Sequence, residues 1–235
     1  MKKYRYQFII ILLVLFNICI VIKNRNHYYI SDYVISTNNQ EYKLELNKEY
    51  DYKVRVYYPN TNITFLDYKI ADKVGEYIDS FKTTISKTEK INNQYYTLYI
   101  FYDSYSYQNY LSYVFYIETY TGGAHPDHDI WTIIYDKEKE KIVTVEDMIA
   151  TNPKFLEIVS EYIQKELLKN PKVVDTNMLM EGTKPIESNF SRFVFSNEGL
   201  LFFFPHYQVA PYSSGSFMVN VPYYKIFSSS SINEQ

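Results

Sequence analysis

The sequence predicts an α+β protein: an antiparallel sheet with two main helices packed on it, preceded by an N-terminal membrane-anchor helix. Three observations predict it. Strand-like runs rich in Tyr, Val, Ile and Phe come in clusters instead of alternating one by one with helices, the order expected when helices lie on one face of an antiparallel sheet. Two segments switch from the two-residue period of a strand to the three-to-four-residue period of a helix. An apolar run, FIIILLVLFNICIVI, sits near the N-terminus between basic residues.

The elements follow in order. The leader MKKYRYQ is basic, and residues 8–22 are apolar apart from Asn17. That run is short for a spanning helix and resembles a signal sequence core. Tyr4, Tyr6 and snorkelling Lys and Arg side chains extend it. No small-residue cleavage site follows Ile22, which favours an uncleaved signal-anchor over residues 1–26; a cleaved, secreted form is the alternative. Three basic residues precede the run and two closely follow it, so the charge rule places the body outside the cell membrane, on a single pass. The one cysteine, Cys19, lies inside the run, so the body is held together without a disulfide.

Residues 27–50 read as a linker, residues 51–227 as a single α+β extracytoplasmic domain, and residues 228–235 as a frayed tail. YKVRVYYP, residues 52–59, alternates and ends on proline, as a strand does. In residues 64–85 the apolar positions Leu66, Ile70, Val74, Tyr77, Phe81 and Ile85 draw one helical stripe, and Thr64 with Asp67 suggests a capping box. Residues 95–107 and 110–120 read as an antiparallel hairpin, residues 130–136 as a third strand, and KEKEK as its solvated turn. IVTVEDMI reads as a short strand leading into a turn or helix start. Asn152-Pro153 then opens a second helix with the stripe Phe155, Ile158, Val159, Tyr162, Ile163 and Leu167, ended by Asn170-Pro171. A polar stretch to about Glu187 reads as loop. FSRFVFSNEGLLFFFP reads as a hairpin turning at residues 196–199, and SFMVNVPYYKI as the last strand.

Composition narrows the function. The chain has 235 residues, with 28 tyrosines against 15 phenylalanines and one tryptophan. Tyrosine joins an apolar ring to a polar tip and suits sheet faces and contact surfaces that stay wet. The net charge of −3 conceals an asymmetry: residues 1–26 carry five basic residues and no acid, leaving 19 basic and 27 acidic residues, a net −8, in the rest. Such a body repels nucleic acid and anionic lipid and attracts cationic partners.

Chemical motifs are few. There is no GxSxG, P-loop, GxGxxG or HExxH. The one polar concentration is TYTGGAHPDHDIW, residues 119–131. His125, Asp127, His128 and Asp129 offer nitrogen and oxygen ligands at short spacing, the makings of a metal-binding hydrolase-type site. The other reading is a shaped turn: Gly122 and Gly123 permit backbone angles closed to other residues, His125 packs across the bend, and Asp127 and Asp129 face solvent or cap amides.

Two stretches then stand together: YTGGAHP at 120–126, with IVTVEDMI after it, and FFFPHYQVAPYSSGSFMVNVPYYKI at 202–226. In that order, with two helices before and between them, they resemble a bacterial extracytoplasmic domain family of unassigned general function. That family occurs in the ectodomain of the lysozyme-sensing anti-sigma factor RsiV and as the accessory domain of peptidoglycan deacetylases. The resemblance covers roughly residues 50–227. It implies an α+β envelope domain that binds and does not catalyse, needs no cofactor, and recognises a cell-wall component such as peptidoglycan or a wall-attacking protein such as lysozyme. The loops around the two motifs supply the candidate contacts: Tyr120, Gly122, Gly123, His125 and Asp127 in one, and Tyr207, Pro211 and Tyr212 in the other. In the family GGAH is commonly followed by Gly, where this chain has Pro-Asp-His-Asp, so His128 and Asp129 inherit no role. Only about seven residues precede the apolar run, so no sigma-factor signalling is expected, and the chain has no room for a deacetylase domain. Besides the metal site, a third expectation stays open: a structural envelope protein assembling through its tyrosine faces.

Overall fold

The computed structural model describes residues 52–87 and 95–227. The signal-anchor, the linker and the C-terminal tail lie outside the described residues. Among the described residues no helix is long and apolar enough to cross a membrane.

Helix α1 spans Thr64–Ile85, as its stripe dictates. Leu66, Ile70, Val74, Ile78, Phe81 and Ile85 are buried on one face. Tyr77, expected in that row, stands beside it, and its hydroxyl donates to Asp129 Oδ2 at 2.9 Å. The expected Thr64–Asp67 capping box is absent. Ile63 occupies the cap position without a side-chain bond. Asp67 Oδ1 instead accepts from Thr61 N at 2.8 Å and Thr61 Oγ1 at 2.7 Å, pinning the incoming loop one turn earlier.

Five strands form the first sheet in chain order: β1 Tyr52–Val56, β2 Tyr96–Tyr107, β3 Tyr110–Tyr120, β4 Asp127–Asp136 and β5 Lys141–Ile142. The hairpin read from sequence is present, its turn being Gln108-Asn109, with Gln108 at φ 49°. The sheet is mixed, not antiparallel as expected: β1 runs parallel to β2, with Tyr52 opposite Tyr96. The reason is α1, which carries the chain back along the sheet so that β2 starts from the same end as β1.

The rest of the chain builds a second layer. Helix α2 is Val145–Thr151, α3 Phe155–Leu167 and α4 Thr176–Gly182. Strands β6 Phe193–Phe195, β7 Gly199–Phe204 and β8 Phe217–Pro222 make a separate antiparallel sheet, followed by helix α5 Tyr223–Phe227. The single sheet expected from sequence is therefore two. Two short helices, α4 and α5, also replace expected loop and strand, while α2 takes the helix alternative of the turn or helix start expected after IVTV. Thr144 and Asp147 form a capping box that starts α2. Asp175 Oδ1 caps α4 by accepting from Met178 N at 3.0 Å. The last strand stops at Pro222, and Tyr223 turns inward to stack on Tyr107 with ring centroids 4.7 Å apart. The second main helix opens at Phe155, not at Pro153; Asn152 sits before it, its Oδ1 accepting from Lys154 N at 3.0 Å and its Nδ2 donating to Ile226 O at 2.7 Å.

Each helix serves its own sheet. Residues of α1 pack with Leu98, Ile100, Phe115, Ile117 and Ile133 of the five-stranded sheet. Residues Phe155, Val159, Ile163 and Leu167 of α3 pack with Phe193, Phe202, Phe204, Val219 and Val221 of the three-stranded sheet. Full burial of each such side chain contributes about 1.5–3 kcal/mol. Strand alternation then supplies a seam between the sheets. Phe115 and Ile133 point to α1, while Val114 and Ile130 point the other way and meet Val194 and Phe203. The layers run helix, five-stranded sheet, three-stranded sheet, helix.

Candidate functional site

Strand β3 ends at Tyr120, and the chain reverses through Gly122 at φ 96° and Gly123 at φ 116°. Those angles are hostile to any residue with a Cβ. Space is not the reason: a Cβ on Gly123 would meet nothing within 4 Å. Tyr120 Oη donates to Gly123 O at 3.2 Å and ties the turn. His125 Nδ1 lies 2.9 Å from Pro126 O.

The polar run after Pro126 is strand, not loop. Alternation therefore sends its side chains to opposite faces. His128 points toward the second sheet and stacks on His206, with centroids 4.5 Å apart and planes at 21°. Asp129 points toward α1, accepting from Tyr77 Oη and, at 3.2 Å, from Arg192 Nη2. Arg192 Nε also donates to Ile130 O at 2.6 Å, so one guanidinium covers a stretch of the β4 edge. The carboxylate raises the Tyr77 hydroxyl above its usual range, after the larger effect of burial. The set His125, Asp127, His128 and Asp129 thus does not converge. Among the described residues no group of three or more His, Cys, Asp or Glu side chains is placed to hold a metal ion.

What does converge is the second motif. After β7 the chain passes His206, Tyr207 at φ 66°, and Pro211, which leads into a short turn at Tyr212–Ser214. Tyr212 is the hub. Its hydroxyl donates to Pro126 O at 2.9 Å. Its ring stacks on His125 at 3.8 Å and 21°, and lies 4.7 Å from His206 and 5.5 Å from Tyr207. Residues 86 positions apart are thereby joined into one aromatic and imidazole surface. Tyr207 stays 54% exposed at its rim. Of the residues anticipated from sequence, His125, Tyr207 and Tyr212 touch directly, Tyr120, Gly122 and Gly123 shape the turn, Pro211 sets the second loop, and Asp127 stands exposed beside them.

Two participants went unanticipated, His206 and Glu118. Glu118 Oε2 is 3.9 Å from His128 Nδ1. Strand pairing sets them opposite one another, a relation invisible before the register is known. Among the described residues, the buried Nδ1 of His206 has no hydrogen-bond partner. Burial, then the His128 and His125 imidazoles, hold His206 below its ordinary value. Desolvation, with Tyr207, Asp127 and Glu118, pushes the Tyr212 hydroxyl up.

This second loop lies in the part of the chain with a family match. Residues 146–224 match DUF3298, a family described as protein of unknown function. The DUF3298 match takes in α3, the three-stranded sheet and the Tyr212 loop, and leaves the Gly122-Gly123 turn outside it. A curated relative is the peptidoglycan-N-acetylmuramic acid deacetylase PdaC of Bacillus subtilis, 35% identical over 92 residues. That alignment covers 39% of this chain and 20% of the relative, so the chain spans about a fifth of the deacetylase's length. Two crystal structures of DUF3298 proteins share the fold. One, from Pseudomonas aeruginosa, superposes with TM-score 0.56 at 16% identity, covering 74% of this chain and 82% of its own. The other, from Bacteroides fragilis, gives 0.53 at 17%, covering 81% and 90%.

Proposed function

We propose that this chain is a non-enzymatic binding module of the bacterial cell envelope, tethered to the membrane through residues 8–22 with its body on the extracytoplasmic side. Its ligand is a cell-wall component or a cationic wall-attacking protein such as lysozyme. The observation that carries the reading is the joining of the two motif loops through Tyr212, which makes one contact surface from segments that the sequence keeps far apart. Exposed tyrosine on an ordered platform gives contact area at low entropic cost. The likeness to a peptidoglycan deacetylase over 92 residues supports a ligand in or around the wall. The net −8 of residues 27–235 supports a cationic partner.

The test is calorimetric titration of the protein with a cationic lysozyme at 0.15 M salt, where the Debye length is about 8 Å. Sedimentation with insoluble peptidoglycan runs in parallel. Saturable binding to one of them is expected, weakened about tenfold or more by Tyr207→Ala and Tyr212→Ala. Binding to neither, or binding unchanged in both variants, refutes the reading.

A further inference from the structure

We propose that the ring cluster His125, His128, His206 and Tyr212 is an acid-opened clasp: with its rings neutral it holds the 205–214 loop against the 120–128 turn, and in acid it lets go. This rests on the proposed function only in naming what the clasp regulates, the surface formed by those two loops.

The geometry leaves little room for charge. His128 and His206 stack face to face at 4.5 Å, and His125 stacks on Tyr212 at 3.8 Å, with Tyr212 only 4.7 Å from His206. Tyr212 thus bridges His125 to the other two rings. The groups that face the cluster are few. From β3 comes Glu118, from the turn and β4 come Asp127, His125 and His128, and from the second loop Tyr207 and Tyr212. Among the described residues no lysine or arginine acts on His206 or Tyr212.

Charge is met unevenly across the stack. Glu118 Oε2 lies 3.9 Å from His128 Nδ1, on the His128 side. A proton on His206 has no such partner. Its Nδ1 is buried and, among the described residues, bonds to nothing, and a charged His128 would face it across the stack. One carboxylate already paired cannot offset a second cation there. The sign agrees: a histidine held below its free value of 6.5 contributes its full stability above that pH and loses it as pH falls below. Release of His206 takes one ring contact from Tyr212 and leaves the loop tied by the His125 stack and the bond to Pro126 O.

Hydrogen exchange of the full chain, in mild detergent, tests this without any ligand. After correction for the intrinsic pH dependence, amides of residues 206–214 should exchange about tenfold or more faster at pH 5 than at pH 7.5, a factor worth about 1.4 kcal/mol. Amides of residues 155–167 should not change. His206→Phe keeps a ring in the stack and takes no proton, so the acid step should vanish while protection at pH 7.5 persists. Should that variant misfold, His128→Phe removes the facing charge and should shift the opening to lower pH. An unchanged 206–214 segment in the wild type at pH 5, or an acid step undiminished in both variants, overturns the clasp. The result is separable from the proposed function: an acid step in a protein that binds neither lysozyme nor peptidoglycan leaves the clasp standing and sinks the binding role.

Discussion

Replacing Gly182 by alanine tests how the site is braced from behind. A Cβ there would lie 1.8 Å from the backbone oxygen of Gln208 and 2.7 Å from its carbonyl carbon. Ordinary contact begins at 3.4 Å, so helix α4 or the Gln208 backbone must retreat by about 1.6 Å. Overpacking of this kind costs about 1–3 kcal/mol. The retreat also strains two hydrogen bonds from Gln208 Nε2, to Gly182 O and Asn189 O, both 3.0 Å. At about 1 kcal/mol each, these bring the expected loss to about 3–5 kcal/mol. In a domain of this size that lowers the melting temperature by roughly 10 °C. Thermal unfolding followed by circular dichroism reads it directly. Gly123→Ala is the contrast, since its Cβ meets nothing and only the φ of 116° is strained, which costs about 1–3 kcal/mol. A Gly182→Ala melting temperature within about 2 °C of wild type would refute the reasoning, because no flexible side chain is available to absorb the clash.

Two further substitutions probe the frame. Arg192→Ala strips the guanidinium from Ile130 O and Asp129 and should cost about 1–3 kcal/mol in urea unfolding at unchanged slope, with lysine restoring less than half, since an ammonium cannot make both contacts in the same fork. Asp147→Ala removes the α2 capping box and the ion pair with Lys141, a partly exposed pair, for about 1 kcal/mol. Lys141 first, against the opposing effect of partial burial, holds the Asp147 carboxyl below its usual 3.8. Its contribution is therefore present above that pH and lost as pH falls through the lowered value, so wild type and variant should converge in strong acid.

Helix α1 was legible because a 22-residue amphipathic pattern admits one periodicity. The β2–β3 hairpin was legible because two tyrosine-rich runs flank a short polar turn. Strand direction was not: nothing in YKVRV distinguishes a parallel neighbour from an antiparallel one, and the choice is made by the helix that follows. Helix α4 was hidden because it buries little beyond Leu179 and Gly182, too few apolar positions to mark a period. Asp127 to Asp129 read as loop because every residue is polar. Their alternation shows only once Tyr77 and Arg192 stand on one side and His206 on the other. The loops bearing the site were therefore visible, but the imidazole at its centre, His206, was not.

The seam between the two sheets has a consequence of its own. Its centre is Val114, Ile130, Val194 and Phe203, but the join runs on from there: Ile134, Tyr107 and Tyr110 of the five-stranded sheet pack into the interior around α3. Here the segment with the family match brings the Tyr212 loop and the five-stranded sheet brings the glycine turn that meets it. Recognition that depends on both loops is then a property of the pairing, and a change in either layer alters the surface they share.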